Sequence, residues 1–186
     1  MATVIRKAVP ADAQTIADIF NGFVTRHSVL GVKPSWTAAS VLQNITGENG
    51  FALVMEVDGK VQASYLLFRD LGGPVVRGIA ASWTLALETM RPDPQFVFVG
   101  WLAEHRAEFG VTDLESVWYP NNPFGPLIAR ADAAGLFLPK VGTGTYRVEI
   151  TTDGGIVRMI VALEDYLRWW NERKATVKFW TGLYAV

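Results

Sequence analysis

The run MRPDPQFVFVGWLAEHRAEFGV, Met90 to Val111, sets an acidic residue, two prolines, a glutamine and a glycine where a strand should hand over to a helix. Such a junction can hold an anion, because the first amides of a helix have no partner within it and the helix dipole favours negative charge there. Asp93 and Pro94 suit the N-cap and N1 positions and Gly110 suits the stop, so Pro94 to Phe109 reads as one helix. A carboxylate at the cap answers the dipole before any ligand arrives. Phe96, Phe98 and Trp101 then admit two readings: a helix half that is apolar all round because it is buried, or the lining of a pocket for an acyl or aromatic group.

Other chemistries are absent from the residue inventory. There is no cysteine, which excludes disulfides and thiol catalysis, and the only histidines, His27 and His105, are too few and too far apart for an imidazole metal site. No metal is expected. The net charge is -1 with basic residues scattered, and only Arg173 and Lys174 are adjacent, so the footprint of a nucleic-acid binder is missing. The amino terminus MATVIRKAVPADAQ lacks the apolar core of a signal peptide, and no run approaches the roughly 20 apolar residues of a membrane span. A cytoplasmic protein without membrane contact is the expectation. With 186 residues, half of them hydrophobic, one compact domain over residues 1–186 is expected.

The elements that must position any site follow from periodicity. VIRKAV, Val4 to Val9, reads as a strand; Pro10 and Asp12 open a helix whose stripe is Ala13, Ile16, Ala17, Phe20, Phe23 and Val24. A short helix is expected from about Thr37 to Asn44. FALVMEVDGKVQASYLLF reads as two strands joined at Asp58-Gly59, a dipeptide suited to the positive φ angles of a two-residue turn. SWTLALETM, Ser82 to Met90, alternates as a further strand with Glu88 on its polar face. TDLESVWY is a strand ending at PNNP, and Pro126 to Ala134 a short helix. TYRVEI and GIVRMIV flank TTDGG as a last hairpin, and LEDYLRWWNERK is a charged terminal helix.

This order resembles the GNAT superfamily of N-acetyltransferases, and local phrases match it. IRKAVPADAQTIADIF is similar to the family's opening and VDGKVQASYLL to its second and third strands. FGVTDLESVWYPNNPFGPLIARADAAGLF is similar to its glycine, strand, asparagine and helix run, with Gly110, Asn122 and Gly135-Leu136-Phe137 in place. The match covers roughly Val4 to Phe137. It implies an α/β (α+β) fold, with a central mixed, mostly antiparallel sheet and helices on both faces.

The resemblance also implies a cofactor and a reaction. In that family a loop of the form Q/R-x-x-G-x-G/A after the fourth strand holds the pyrophosphate of acetyl-CoA. VVRGIA, Val75 to Ala80, is one register for it; QFVFVG is preferred because it leaves room for a strand before it. The cofactor contacts implied for acetyl-CoA or another acyl-CoA are then Gln95, Phe96, Val97, Phe98 and Gly100, with Asn122 in the family's asparagine position. Phe98 replaces the first loop glycine, which departs from the family pattern, since phenylalanine lacks glycine's backbone freedom. The family's general base, a glutamate on the fourth strand, maps to Glu88. Its tyrosine acid maps to Ala131, leaving Tyr119 as the substitute.

Two functions from different classes are consistent with these residues. One is an atypical N-acyltransferase moving an acyl group from a CoA thioester, or from another acyl donor, to an amine. The other is a GNAT-fold interaction module without catalysis, using the aromatic carboxyl-terminal segment against a protein partner or a second copy in a homodimer. Adjacent Trp169 and Trp170 cannot face the same side of a helix, so one is expected in the core and the other at a surface.

Overall fold

The computed structural model describes residues 3–27, 35–69, 73–82, 93–118, 148–153 and 156–173. One seven-stranded sheet runs through them in the order β1-β2-β3-β4-β5-β7-β6. Its strands are β1 (Thr3–Lys7), β2 (Gly50–Val57), β3 (Lys60–Arg69), β4 (Val75–Ser82), β5 (Asp113–Trp118), β6 (Val148–Asp153) and β7 (Ile156–Ala162). Only β4 and β5 run parallel; the other neighbours are antiparallel. The helices are α1 (Ala13–His27), α2 (Ala38–Thr46), α3 (Asp93–Phe109) and α4 (Leu163–Arg173). No described helix is long and apolar enough to cross a membrane.

Strand alternation divides the core. Ala52, Val54 and Leu66 point to one face and pack with Ala13, Ile16, Ala17, Ile19 and Phe20 of α1 and Val41 and Ile45 of α2. Leu53, Met55, Tyr65 and Leu67 point to the other, under Val97, Phe98 and Leu102 of α3 and Leu163, Tyr166 and Trp170 of α4. Helices therefore cover both faces, as the resemblance implies.

Local chemistry sets the connections. Asp58 (φ 51°) and Gly59 (φ 76°) make the two-residue turn between β2 and β3. A short 3-10 turn, Pro10–Asp12, precedes α1, and the Asp12 carboxylate accepts the Val9 N–H at 2.8 Å. Arg6 binds both Asp12 oxygens, at 2.7 and 3.0 Å, and reaches Glu56 at 2.5 Å, so one guanidinium ties β1, β2 and the entry of α1. Thr37 caps α2 by accepting the Ser40 N–H at 3.1 Å. Gly110 (φ 60°) ends α3, where the Arg69 guanidinium donates to the Phe109 carbonyl.

Three expectations are corrected or refined. The strand beside β3 is Val75–Ser82, upstream of the alternating run; Ser82 is its last residue, and 83–92 lie outside the described residues. The last hairpin is tighter than expected, with Asp153 paired to Ile156. Helix α3 begins at Asp93 itself, one residue before the expected start. The short helix expected at Pro126–Ala134 lies outside the described residues.

Candidate active site

The parallel ladder between β4 and β5 is short. It begins at Val75↔Asp113 and ends at Gly78↔Ser116. Both strands continue past that rung, but with other partners: β4 stays beside β3 as far as Ala63↔Ser82, and β5 stays beside β7 as far as Trp118↔Val157. The two strands thus part into a fork that opens at their carboxyl ends. Parallel strands favour ligand crevices at that end, where backbone N–H and C=O groups of the two edges lose each other as partners.

The two sides of the fork differ in chemistry. On the α3 side the Tyr65 ring lies directly on β4: a Cβ added to Gly78 would sit 2.1 Å from its hydroxyl oxygen. Phe98 backs this ring, centroids 5.7 Å apart. Ser116 is buried at the same last rung, on the same face as Leu114. Tyr166 is buried nearby; burial first, and the neighbouring Tyr65 second, push its phenol well above the ordinary range, so it stays a neutral hydrogen-bonding group.

On the opposite side Arg77 of β4 grips the largely buried Glu115 of β5, Nε and Nη2 each 2.7 Å from Oε2. Arg158 of β7 approaches Oε1 at 3.6 Å. The group fastens three strands one rung behind the fork. Its carboxylate oxygens are committed to guanidinium groups. Among the described residues no cluster of His, Asp or Glu could hold a metal ion.

No family model matches this sequence, and no curated protein matches it. In three dimensions the chain is similar to the GNAT domain of S. lividans PAT, with a TM-score of 0.57 at 12% identity over 85% of this chain and 89% of that one. It is similar to the PaiA N-acetyltransferase of Thermoplasma acidophilum in complex with coenzyme A, with a TM-score of 0.61 at 12% identity over 87% and 99%. It is also similar to AAC(6')-Ib in complex with paromomycin and acetyl-CoA, with a TM-score of 0.57 at 13% identity over 90% and 97%. The chain has the GNAT fold.

Within that GNAT fold the residues singled out in the sequence fall into three groups. Glu88, Tyr119 and Asn122 lie outside the described residues, as do Ala131 and Gly135-Leu136-Phe137. Gln95 and Phe96 belong to the first turn of α3, whose leading amides have no acceptor within the helix. Val97, Phe98 and Gly100 lie within α3, with their amides turned to intrahelical acceptors, and Val97 and Phe98 belong to the core. Phe98 has no exposed surface, and a Cβ on Gly100 would lie 2.5 Å from the Trp170 indole. Gly100 is a notch for a ring of α4.

Trp170 is buried and donates its Nε1–H to Glu104 at 3.0 Å, whereas Trp169 is only partly buried. The expected difference between the adjacent indoles is present, and the inner one is spent on joining α4 to α3. Sequence reasoning passed over Tyr65, Ser116, Glu115 and Arg77 altogether. A signal existed in VVRGIAAS, where a glycine inside an apolar run marks close approach by another group.

Proposed function

We propose that the protein transfers an acyl group from a CoA thioester to an amine, with the thioester lying in the fork between β4 and β5. The observation that carries this reading is the parting of the two parallel strands after Gly78↔Ser116, in a fold shared with structures that hold coenzyme A and acetyl-CoA. In such a transfer the amine nitrogen attacks the thioester carbonyl, a C–N bond forms, the C–S bond breaks and the thiolate departs. A base must take one amine proton and an acid can return one to the sulfur. Glu88, six positions beyond the end of β4, is our choice for the first role and Tyr119, next after the end of β5, for the second.

Diphosphate binding takes a reduced form in this proposal. Pro94 removes one first-turn amide of α3, Asp93 adds a negative charge, and Val97 onward is internally bonded, which leaves Gln95 and Phe96 to meet an anion. The pantetheine arm along the free edge of β4 then supplies more of the affinity than the phosphates do. The acceptor is an amine, the class suggested by the similarity to AAC(6')-Ib with paromomycin.

Isothermal calorimetry with CoA and acetyl-CoA, followed by thiol release in the presence of polyamine, aminoglycoside and peptide amines, tests this reading. Saturable binding weaker than micromolar, with amine-dependent thiol release, is the expected result. Glu88→Gln should then lower turnover about 100-fold or more. Failure of both ligands to bind at millimolar concentration would refute the proposal.

A further inference from the structure

We infer that the amine acceptor carries a carboxylate, received by the exposed guanidinium groups of Arg77 and Arg158 on the open face of the fork. The inference rests on the acyl-transfer reading above and adds to it the class of amine.

The two faces of the sheet leave the acceptor one approach. On the α3–α4 face the end of the β4–β5 ladder is covered, since the Tyr65 ring overlies Gly78 and Ser116 is buried. On the other face α1 and α2 pack on β2 and β3 through Ala52, Val54 and Leu66, and farther along the sheet meets solvent. Val75 of β4 is 41% exposed there, and the side chains of Arg77 and Arg158 are 45% and 54% exposed. Because β4 and β7 are interior strands, these charges stand over the middle of the sheet and not at its edge.

The group holds more positive charge than its carboxylate answers. Arg77 spends Nε and Nη2 on Oε2 of Glu115, each at 2.7 Å, which leaves its Nη1 donors unspent among the described residues. Arg158 comes only to 3.6 Å of Oε1, beyond hydrogen-bond reach, so among the described residues its guanidinium has an ion-pair neighbour and no acceptor. Asp113 lies two residues behind Glu115, on the side away from the fork, and accepts the Thr112 hydroxyl at 2.6 Å. Two guanidinium groups against one carboxylate leave one positive charge over, which a monoanion matches. A guanidinium also offers parallel N–H donors at the spacing of carboxylate oxygens.

The register puts this charge beside the chemistry. Arg77 stands one residue before Gly78, and Arg158 stands opposite Val117, one residue past Ser116. A carboxylate between them lies within about one residue rise, roughly 3.3 Å along the strands, of the apex. The amine of a short amino acid can then reach the thioester carbonyl while its carboxylate stays on the guanidinium groups, which turns the attack into an oriented, nearly unimolecular step. A polyamine would bring cations to a site that already has them in excess.

The test measures thiol release from acetyl-CoA by the full chain with amines matched in length, 4-aminobutyrate against butylamine and β-alanine against propylamine, and with spermidine. The carboxylated member of each pair should be favoured about fivefold or more in kcat/KM, through a lower KM, and the preference should shrink as salt is added. Arg158→Gln should lower the carboxylated-to-plain ratio by about fivefold, again through KM, and Arg158→Glu should turn the preference toward spermidine. Arg77→Gln should act in the same direction, measured alongside an unfolding curve because it also loosens Glu115. Arg168→Gln removes the same charge from α4, where the side chain is 52% exposed and pairs with Asp165, and should leave the ratio unchanged. A merely structural role for Arg158 would lower both members of each pair together.

Equal kcat/KM within both pairs for the wild-type protein overturns the inference and leaves the acyl-transfer reading standing. So does an unchanged ratio in a folded Arg158→Gln protein, or release by spermidine and by neither amino acid. Absence of binding by CoA and acetyl-CoA, with no release by any amine, defeats the acyl-transfer reading itself, and the inference with it.

Discussion

On the α1–α2 face the sheet is covered by small and aliphatic side chains around Phe20, and its charges pair with each other, Arg6, Asp12 and Glu56 at the rim and Arg77, Glu115 and Arg158 across β4, β5 and β7. On the α3–α4 face two glycines are each overlaid by an aromatic ring, Gly78 by Tyr65 and Gly100 by Trp170, and phenols are buried among the hydrocarbons. The first face could be repacked with other apolar residues of similar volume at modest cost. The second depends on particular rings lying on particular backbones. The strands that separate have polar groups on both faces, the Arg77–Glu115 pair on the first and the buried Tyr65 and Ser116 on the second.

That contrast is open to direct attack, beginning with the heaviest blow. Trp170→Ala should cost about 3–5 kcal/mol in denaturant unfolding, from the lost ring and the hydrogen bond to Glu104. Gly78→Ala comes next, at about 1–3 kcal/mol, because the new methyl collides with Tyr65. In a double-mutant cycle with Tyr65→Leu the cost of Gly78→Ala should shrink; simple additivity would mean that the ring and the glycine are not coupled.

The other face is probed through its rim. Arg6→Ala should cost about 1–2 kcal/mol near neutral pH, a modest loss because the pair is partly exposed. The hydrogen bonds from Arg6 hold the Asp12 carboxyl below its ordinary value. A carboxyl depressed in the folded state contributes stability above its unfolded pKa of about 3.9 that is lost as pH falls through the folded value. Unfolding curves of the wild-type protein should therefore weaken below about pH 4, and Arg6→Ala should flatten that dependence. The smallest effect is Thr37→Ala, about 1 kcal/mol for the lost cap of α2, with no change in ligand binding. A binding change there would blur the division between the faces.

How much of this was legible in the sequence depends on where the causes lie. The Asp58-Gly59 turn, the stop at Gly110 and the apolar stripe of α1 from Ala13 to Phe20 are decided by residues within a few positions of one another, and each is where the pattern puts it; the side chains of Phe23 and Val24 lie outside those described. β4 was obscured because the space above Gly78 is filled by a side chain from β3, so the strand carries little alternation of its own. The neighbouring SWTLALETM alternates cleanly and carries the stronger strand signal. Gly100 resembles a loop glycine in the sequence for a similar reason. Its partner, Trp170, is far along the chain, and nothing near Gly100 reports it. Of the site, the fork was legible only as far as the resemblance placed β4 and β5 side by side. The register at which they part is a property of pairing, which no single strand records.

The turn at Asp58 and Gly59 also has a consequence in time. It lets β2 and β3 form eight rungs across a two-residue loop, a closure of the kind that takes about 1–10 μs. The four rungs of β4 and β5 must instead wait for a loop that separates Arg77 from Glu115 by 38 residues. Assembly should run outward from the hairpin, and amide protons of β2 and β3 should outlast those of β5 in hydrogen exchange. The crevice then lies between β4, which adds to that hairpin through β3, and the later β5, a border along which a sheet can breathe without coming apart.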